Sequence, residues 1–319
     1  MISNPVLLIG GAGTLGSHLI PILLKSPYVS RIRVLSRGEH RQKLLQDRLN
    51  SDRVDFFLGD IRDKDRVRRA TQDCESVFNF AAIKSIDRAE YDPEETIKTN
   101  IHGTLNVISC CRKEGVKRAV FTSTDKAVAP VNLYGGTKLV AEKLFIQGNI
   151  GSHPCRFSCM RYGNVLSSQG SVIEHWNRQS DNLEQLTLTD PDMTRFFISP
   201  TQAAQFIYDR WGEMQGGEIF IPKMKATTTF NLMKEFFPTN EFHVTGKRPG
   251  EKDHERLISE DEKEYVTDCG AYWVRWPSHP LFPFSRHGDI PQEGEQAYQS
   301  QHAPLFKDNE LKEMFHGPV

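Results

Sequence analysis

The sequence has few of the features that would place a chain outside the cell, in a membrane or on nucleic acid. Its six cysteines include no CxxC spacing, so neither a disulfide framework nor a thiolate zinc site is expected. The thiols read as reduced, in a cytoplasmic protein. The longest aliphatic stretch near the start, Leu19 to Leu24, is interrupted by Pro21 and falls far short of the roughly 20 residues that cross a bilayer. No secretory signal is expected either, because Val6 to Ile9 runs directly into a glycine turn. Excess charge is also missing: 40 Lys and Arg stand against 41 Asp and Glu, for a formal charge of -1. That excludes the basic field of an unselective nucleic-acid binder, so any anion must be held locally. Eleven histidines show neither HExxH nor paired-ligand spacing, and no metal is expected. No repeat or low-complexity tract is visible. What is present is 319 residues, 38% apolar and 25% charged, with mean hydropathy -0.49: enough core for about two domains, or one large α/β domain with a smaller cap.

Short β-branched runs alternate with amphipathic stretches through the first half, the pattern of a parallel sheet with crossover helices. Strands are expected at Val6 to Ile9, Ile32 to Leu35, Val54 to Phe57, Ser76 to Phe80, Ala119 to Thr122 and Phe157 to Arg161. Helices are expected at about 14–25, 39–49, 63–72, 93–113 and 132–147. The fold class is therefore α/β, a Rossmann-type doubly wound parallel sheet followed by a smaller C-terminal α/β substrate lobe. Residues 1–165, with part of 190–215 returning, would form the nucleotide domain, and 166–268 the lobe. In the lobe, helices at about 171–180, 200–214 and 227–236 mix with strands at Leu186 to Leu188, Glu218 to Ile221 and Phe242 to Thr245. Residues 269–319, rich in Trp, Pro and His, show no period and no readable role.

Ligands bind beyond the carboxyl ends of such strands, which directs attention to Gly10, Asp60, Ala81, Thr124 and Asn164. Gly10, Gly13 and Gly16 follow a buried strand and open a helix, around the literal Gly11-Ala12-Gly13-Thr14-Leu15-Gly16 fingerprint. The missing side chains let the backbone approach a pyrophosphate facing the helix N-terminus. An NAD site usually carries an acid at the end of the second strand; this sequence has Ser36-Arg37, with Arg41 close behind. A hydroxyl and a guanidinium suit a 2′-phosphate, and the expectation is NADP. Asp60 and Ile61 would border the adenine, and Ala81, Ala82 and Val165 the rest of the cofactor.

Tyr134 and Lys138 lie four apart at a helix start, on one face. A cation beside a phenol favours phenolate, so Tyr134 is a candidate base toward a sugar hydroxyl, with Lys138 lowering its pKa. Thr124 can hydrogen-bond the same hydroxyl.

Taken with Ala81-Ala82-Ile83-Lys84, Ala89-Glu90-Tyr91-Asp92-Pro93, Lys98-Thr99-Asn100, the Ser123 to Lys138 block, Arg161 to Val165, Thr189 to Phe196, Arg248 to Lys252 and His254-Glu255, the chain resembles extended short-chain dehydrogenases/reductases. More narrowly, over about residues 5 to 265, it resembles the C5-inverting UDP-N-acetylglucosamine 4,6-dehydratases. The resemblance implies oxidation at C4 by Tyr134 and NADP, loss of the C5 proton to Lys126, and departure of the C6 hydroxyl with a proton from Asp125. Lys126 would need its pKa depressed by burial and by nearby Lys138, and Asp125 would need its own raised. C5-retaining relatives carry Asp-Glu where this chain has Asp125-Lys126, so inversion is expected. The resemblance also implies Lys84 and Asn164 near sugar and diphosphate, Thr189 and Arg195 along the nucleotide pocket, and Arg248 with Glu251 on pyrophosphate and ribose. It implies at least a homodimer, through helices 93–113 and 132–147. Two departures bear on the sugar: Ser167-Ser168-Gln169 replaces a stretch that commonly carries an arginine, and Glu174-His175-Trp176 stands where proline usually follows. Rival expectations are a nucleotide-sugar C4 epimerase or ketoreductase on the same fold, and a non-catalytic NADP-binding partner protein.

Overall fold

The computed structural model describes residues 4–168, 170–182, 184–279 and 298–316. Its strands, in chain order, begin with β1 (Val6–Ile9), β2 (Ile32–Ser36), β3 (Val54–Leu58), β4 (Ser76–Asn79), β5 (Arg118–Thr124) and β6 (Arg156–Tyr162). They continue with β7 (Asn164–Val165), β8 (Leu186–Leu188), β9 (Thr194–Ile198), β10 (Ile219–Pro222), β11 (Lys225–Thr228), β12 (Phe242–Val244), β13 (Val266–Asp268) and β14 (Tyr272–Arg275). A nine-stranded sheet runs β13-β14-β10-β6-β5-β4-β1-β2-β3. From β10 to β3 every pairing is parallel, whereas β14 and β13 add an antiparallel edge. β1 and β4 are buried along their whole length, as expected of strands covered on both faces. The order reverses between β1 and β4, which opens a crevice at their carboxyl ends. The six expected strands and the helices before 93 all form, with ends shifted by at most two residues.

The expected helix 93–113 forms in three pieces: Pro93–Ile97, a wider π turn at Lys98–His102, and Gly103–Lys113. Buried Asn100 lies in the wide turn. It accepts from Ile83 N–H at 2.8 Å, donates to the Ile83 carbonyl at 3.0 Å and donates to Thr137 Oγ1 at 3.0 Å. The exit of β4 is thereby tied to the helix Leu133–Gln147.

Two parts of the domain division change. The strand expected at Glu218 to Ile221 in the lobe is β10 of the large sheet, parallel to β6. The helix Pro200–Glu213, within the 190–215 stretch expected to return to the nucleotide domain, packs there too, with Trp211 Nε1 donating to Ser76 Oγ at 3.0 Å. Local periodicity identifies a strand but not its neighbours, and these pairings span long stretches of chain. The unreadable tail is also built in. Beyond β14, Tyr298 packs edge-on against Trp273 of that strand at 4.2 Å between centroids, and the helix Glu310–His316 places Leu311 in the lobe core. Pro280 and Pro283 lie outside the described residues. The lobe core gathers around Trp176, whose indole donates to the Thr187 carbonyl at 2.8 Å; the departure at Glu174-His175-Trp176 thus puts a large apolar ring inside the lobe. Among the described residues no helix is long and apolar enough to cross a membrane, and no group of three His, Cys, Asp or Glu is placed to hold a metal.

Candidate active site

Between the carboxyl edge of the sheet and the lobe lies a cleft of about 980 Å³. At one end the glycine turn leaves β1. Gly10 adopts φ +79°, and a Cβ there would stand 2.9 Å from Ala81 N, so the ends of β1 and β4 meet in contact. Gly16 faces away from the cleft, where a Cβ would lie 2.3 Å from the Gly11 carbonyl; its role is to seat the helix on the turn. Gly13 is the N-cap of Thr14–Lys25 and supplies no side-chain cap. A helix start of this kind, with Gly13, Thr14 and Leu15 on the cleft wall, fits a dinucleotide's pyrophosphate.

Farther along, Ser36, Arg37, His40 and Arg41 line the cleft together with Asp60 and Ile61. Buried Gln42 donates to Ser36 Oγ at 2.9 Å and to the Phe57 carbonyl at 2.8 Å, fixing the tip of β2. The Arg37 guanidinium is 3.8 Å from Asp60 Oδ2. Burial pushes the Asp60 carboxyl up, but hydrogen bonds from Arg62 and the charge of Arg37 hold it below its usual range. Ala81, Ala82 and Val165 complete this wall.

At the centre, β5 ends at Thr124 and the chain turns tightly through Asp125–Ala127. Asp125 is fully buried behind the wall. Its Oδ1 accepts from Thr124 Oγ1 at 2.9 Å and from Lys126 Nζ at 3.0 Å, while Oδ2 has no partner among the described residues. Burial and the negative charge of Glu255 push the Asp125 carboxyl up, against Lys126 and Thr124. Lys126 Nζ also donates to Asn164 Oδ1 at 3.0 Å and lies 3.4 Å from Glu255 Oε1.

Two expectations are corrected at this centre. Lys126 is not depressed: burial disfavours its ammonium, but Asp125 and Glu255 outweigh burial and hold its pKa above the ordinary lysine value. Tyr134 is not lowered by Lys138. Burial pushes the phenol up to about 12, and what opposes this is the charge of Lys126 and a hydrogen bond with Thr124. Lys138 is the depressed amine. Burial drives it down to about 7, over the Phe121 ring at 3.9 Å and donating to the Thr122 carbonyl.

Lys84, Asn164, Arg195, Arg248 and Glu251 reach the cleft; Thr189 does not. β8 directs Leu186 and Leu188 into the lobe core, and the Thr189 hydroxyl turns to Met193 Sδ at 3.7 Å. Burial lowers the Lys84 pKa, and its ammonium donates to Ser168 Oγ at 3.2 Å; Gln169 lies outside the described residues. Arg248 bridges the cleft mouth, 2.7 Å from Glu251 Oε1 and 3.1 Å from Asp87 Oδ2. Sequence reasoning gave no role to Glu255, although His254-Glu255 stands among the residues that carry the resemblance. Its nearness to the Arg248 to Lys252 motif was the available signal.

The family profile described as "Polysaccharide biosynthesis protein" matches residues 6–276. A Campylobacter jejuni protein named UDP-N-acetylglucosamine 4,6-dehydratase (inverting) is 41% identical over 86% of this chain and 84% of its own length. A Rickettsia felis protein named UDP-glucose 4-epimerase is 34% identical over 85% of this chain and 82% of its own. Among solved structures, Pen from Bacillus thuringiensis superposes with a TM-score of 0.90 at 32% identity, covering 99% of this chain and 98% of that one.

Proposed function

From its membership of the polysaccharide biosynthesis protein family, alongside the inverting UDP-N-acetylglucosamine 4,6-dehydratases, we propose that this chain is an NADP-dependent hydro-lyase that converts UDP-N-acetylglucosamine to a 4-keto-6-deoxy sugar nucleotide with inversion at C5. The observation that carries the reading is the Asp125-Lys126 ion pair, with Lys126 on the cleft wall beside Thr124 and Tyr134 and Asp125 buried directly behind it. An epimerase needs the tyrosine; it has no use for a second acid and base at this position.

The glycine turn would hold the cofactor's pyrophosphate, and Ser36 with Arg37 its 2′-phosphate. A bound NADP supplies the hydride acceptor, the later hydride donor and, when oxidised, a positive ring charge. Tyr134, hydrogen-bonded to Thr124, would take the proton of the C4 hydroxyl as a phenolate while the ketone forms, with Lys126 and the oxidised cofactor's ring charge offsetting the burial that raises its pKa. The ketone acidifies C5, whose proton goes to Lys126 as an amine. Asp125, whose pKa burial and Glu255 push up, would give its proton to the departing C6 hydroxyl. Lys84 and Asn164 would approach sugar and diphosphate, Arg195 would line the nucleotide pocket, and Arg248 with Glu251 would hold pyrophosphate and ribose. The reading includes a homodimer, supported by Leu105 and Val140, which stand exposed on the helices Gly103–Lys113 and Leu133–Gln147.

The test is turnover of UDP-N-acetylglucosamine in deuterated water. Loss of one water, deuterium at C5 and inverted configuration there support the reading, and retained configuration contradicts it. Unchanged mass with inversion at C4 would favour the epimerase reading, which the Rickettsia relative keeps in contention.

A further inference from the structure

Glu255 borders the reaction centre and has no part in the steps above. Its side chain is 4% exposed, on the cleft wall, with Oε1 3.4 Å from Lys126 Nζ. Oε2 has no hydrogen-bond partner among the described residues and lies 3.6 Å from Lys252 Nζ. A buried carboxylate at 3.4 Å from a lysine that must lose a proton is placed to receive it. The backbone of Glu255 is clasped by the tail. Its own N–H donates to Ser300 Oγ at 2.9 Å, and Ser300 N–H donates to the Glu255 carbonyl at 2.9 Å. The charged and titratable groups facing the pair are Asp125, Arg195, Lys252 and Tyr134.

Lys126 can remove a carbon-bound proton only as a neutral amine, and with Asp125 protonated the carboxylate that still favours its ammonium is Glu255, 3.4 Å away. Asp125 cannot relieve it, because Asp125 must keep its own proton for the leaving hydroxyl. The remaining acceptor beside Nζ is Glu255, anionic under Lys126, Arg195 and Lys252. A gap of 3.4 Å is one that catalytic hydrogen bonds show before substrate closes a site.

We propose that Glu255 is the proton store of Lys126, accepting one ammonium proton when substrate covers the cleft. An N–H bond of Lys126 breaks and an O–H bond forms on Glu255, so the pair is neutral overall before and after. The freed nitrogen lone pair then takes the C5 proton, and the C–H electrons pass into the enolate of the 4-ketone. No proton is exchanged with solvent up to this point, so C5 deprotonation is insensitive to bulk pH. Burial favours the neutral pair, because covering the cleft raises the cost of two separated charges.

The proposal rests on the dehydratase reading, and its test separates the two. The full chain with NADP and UDP-N-acetylglucosamine is followed for C5 deuterium uptake in single turnover between about pH 6 and 9, as wild type, E255Q and E255D. The wild-type rate should change less than about threefold across that range, whereas E255Q, which must shed the Lys126 proton to solvent, should climb about tenfold per pH unit until Lys126 titrates. E255D should keep the flat profile at a lower rate. Wild-type uptake with a flat E255Q profile overturns the role of Glu255 alone. No C5 uptake in the wild type overturns the dehydratase reading and this proposal together. If E255Q does not fold, E255D decides: a flat profile supports the store and a climbing one overturns it.

Discussion

Asn132 donates from Nδ2 to the Gly250 carbonyl at 2.8 Å while its Oδ1 caps the helix of Tyr134 by accepting from Gly135 N–H at 2.7 Å. One side chain thus joins the loop of Arg248 and Glu251 to the turn that aims the phenol. Asn132→Ala removes a cap worth about 1 kcal/mol together with that joint. The expected result is a lower Tm by calorimetry and a rise in KM for the nucleotide sugar larger than the fall in kcat.

Gly135 has no room for a side chain, since a Cβ would stand 2.2 Å from the Lys126 carbonyl. Gly135→Ala must displace backbone on one side of the centre or the other. Activity should fall by at least about a hundredfold, equivalent to about 2.7 kcal/mol, with circular dichroism near wild type; activity within threefold would show that the contact yields.

Lys126→Ala leaves the glycine turn and Arg37 untouched. Dinucleotide affinity by fluorescence titration should stay within about twofold, below 0.5 kcal/mol, while mass spectrometry shows no loss of water from the sugar. Product forming at the normal rate would remove Lys126 from the reaction.

Arg37→Asp places a carboxylate where the 2′-phosphate is expected. The ratio of NADP to NAD affinity should fall by about tenfold or more, or about 1.4 kcal/mol. An unchanged ratio would put the phosphate elsewhere.

Buried Arg161 is held between Glu142 and Glu262, at 2.8 Å from an oxygen of each. Burial pushes Glu262 up, but Arg161 outweighs it and holds the carboxyl at about 2, against an ordinary 4.5. The folded value is the lower one, so the unfolded chain binds more protons as pH falls. The stabilisation is complete above about pH 4.5 and is lost toward pH 2, on the order of 3 kcal/mol. Glu262→Gln should lower Tm at pH 7 and flatten the decline of stability between those limits, measured by urea unfolding at each pH.

The glycine turn, the first six strands and the Tyr134–Lys138 face were legible because each is written in contiguous residues. A strand announces itself by burial of its own run, and a helix face by spacing of four. What was hidden depends on chain brought from afar. β10 reads as a strand, but its place beside β6 follows from pairing Ile219 with Cys159, which no local pattern encodes. The raised pKa of Lys126 depends first on adjacent Asp125 and then on Glu255, which arrives from the lobe and which no local pattern announces. Thr189 was placed at the pocket by analogy, and the apolar facing of β8 turns it elsewhere.

The antiparallel edge has a practical corollary for anyone shortening the protein. A chain ended after Asp268 would retain each group assigned to the chemistry, yet it would strip β14 from β10 and remove the Ser300 hydroxyl from behind Glu255. It would leave Ile219–Pro222, buried throughout in the intact fold, as an uncovered apolar strand. A bare row of that kind recruits foreign strands, so such a fragment would gather into insoluble aggregates before it could lose its activity in any subtler way.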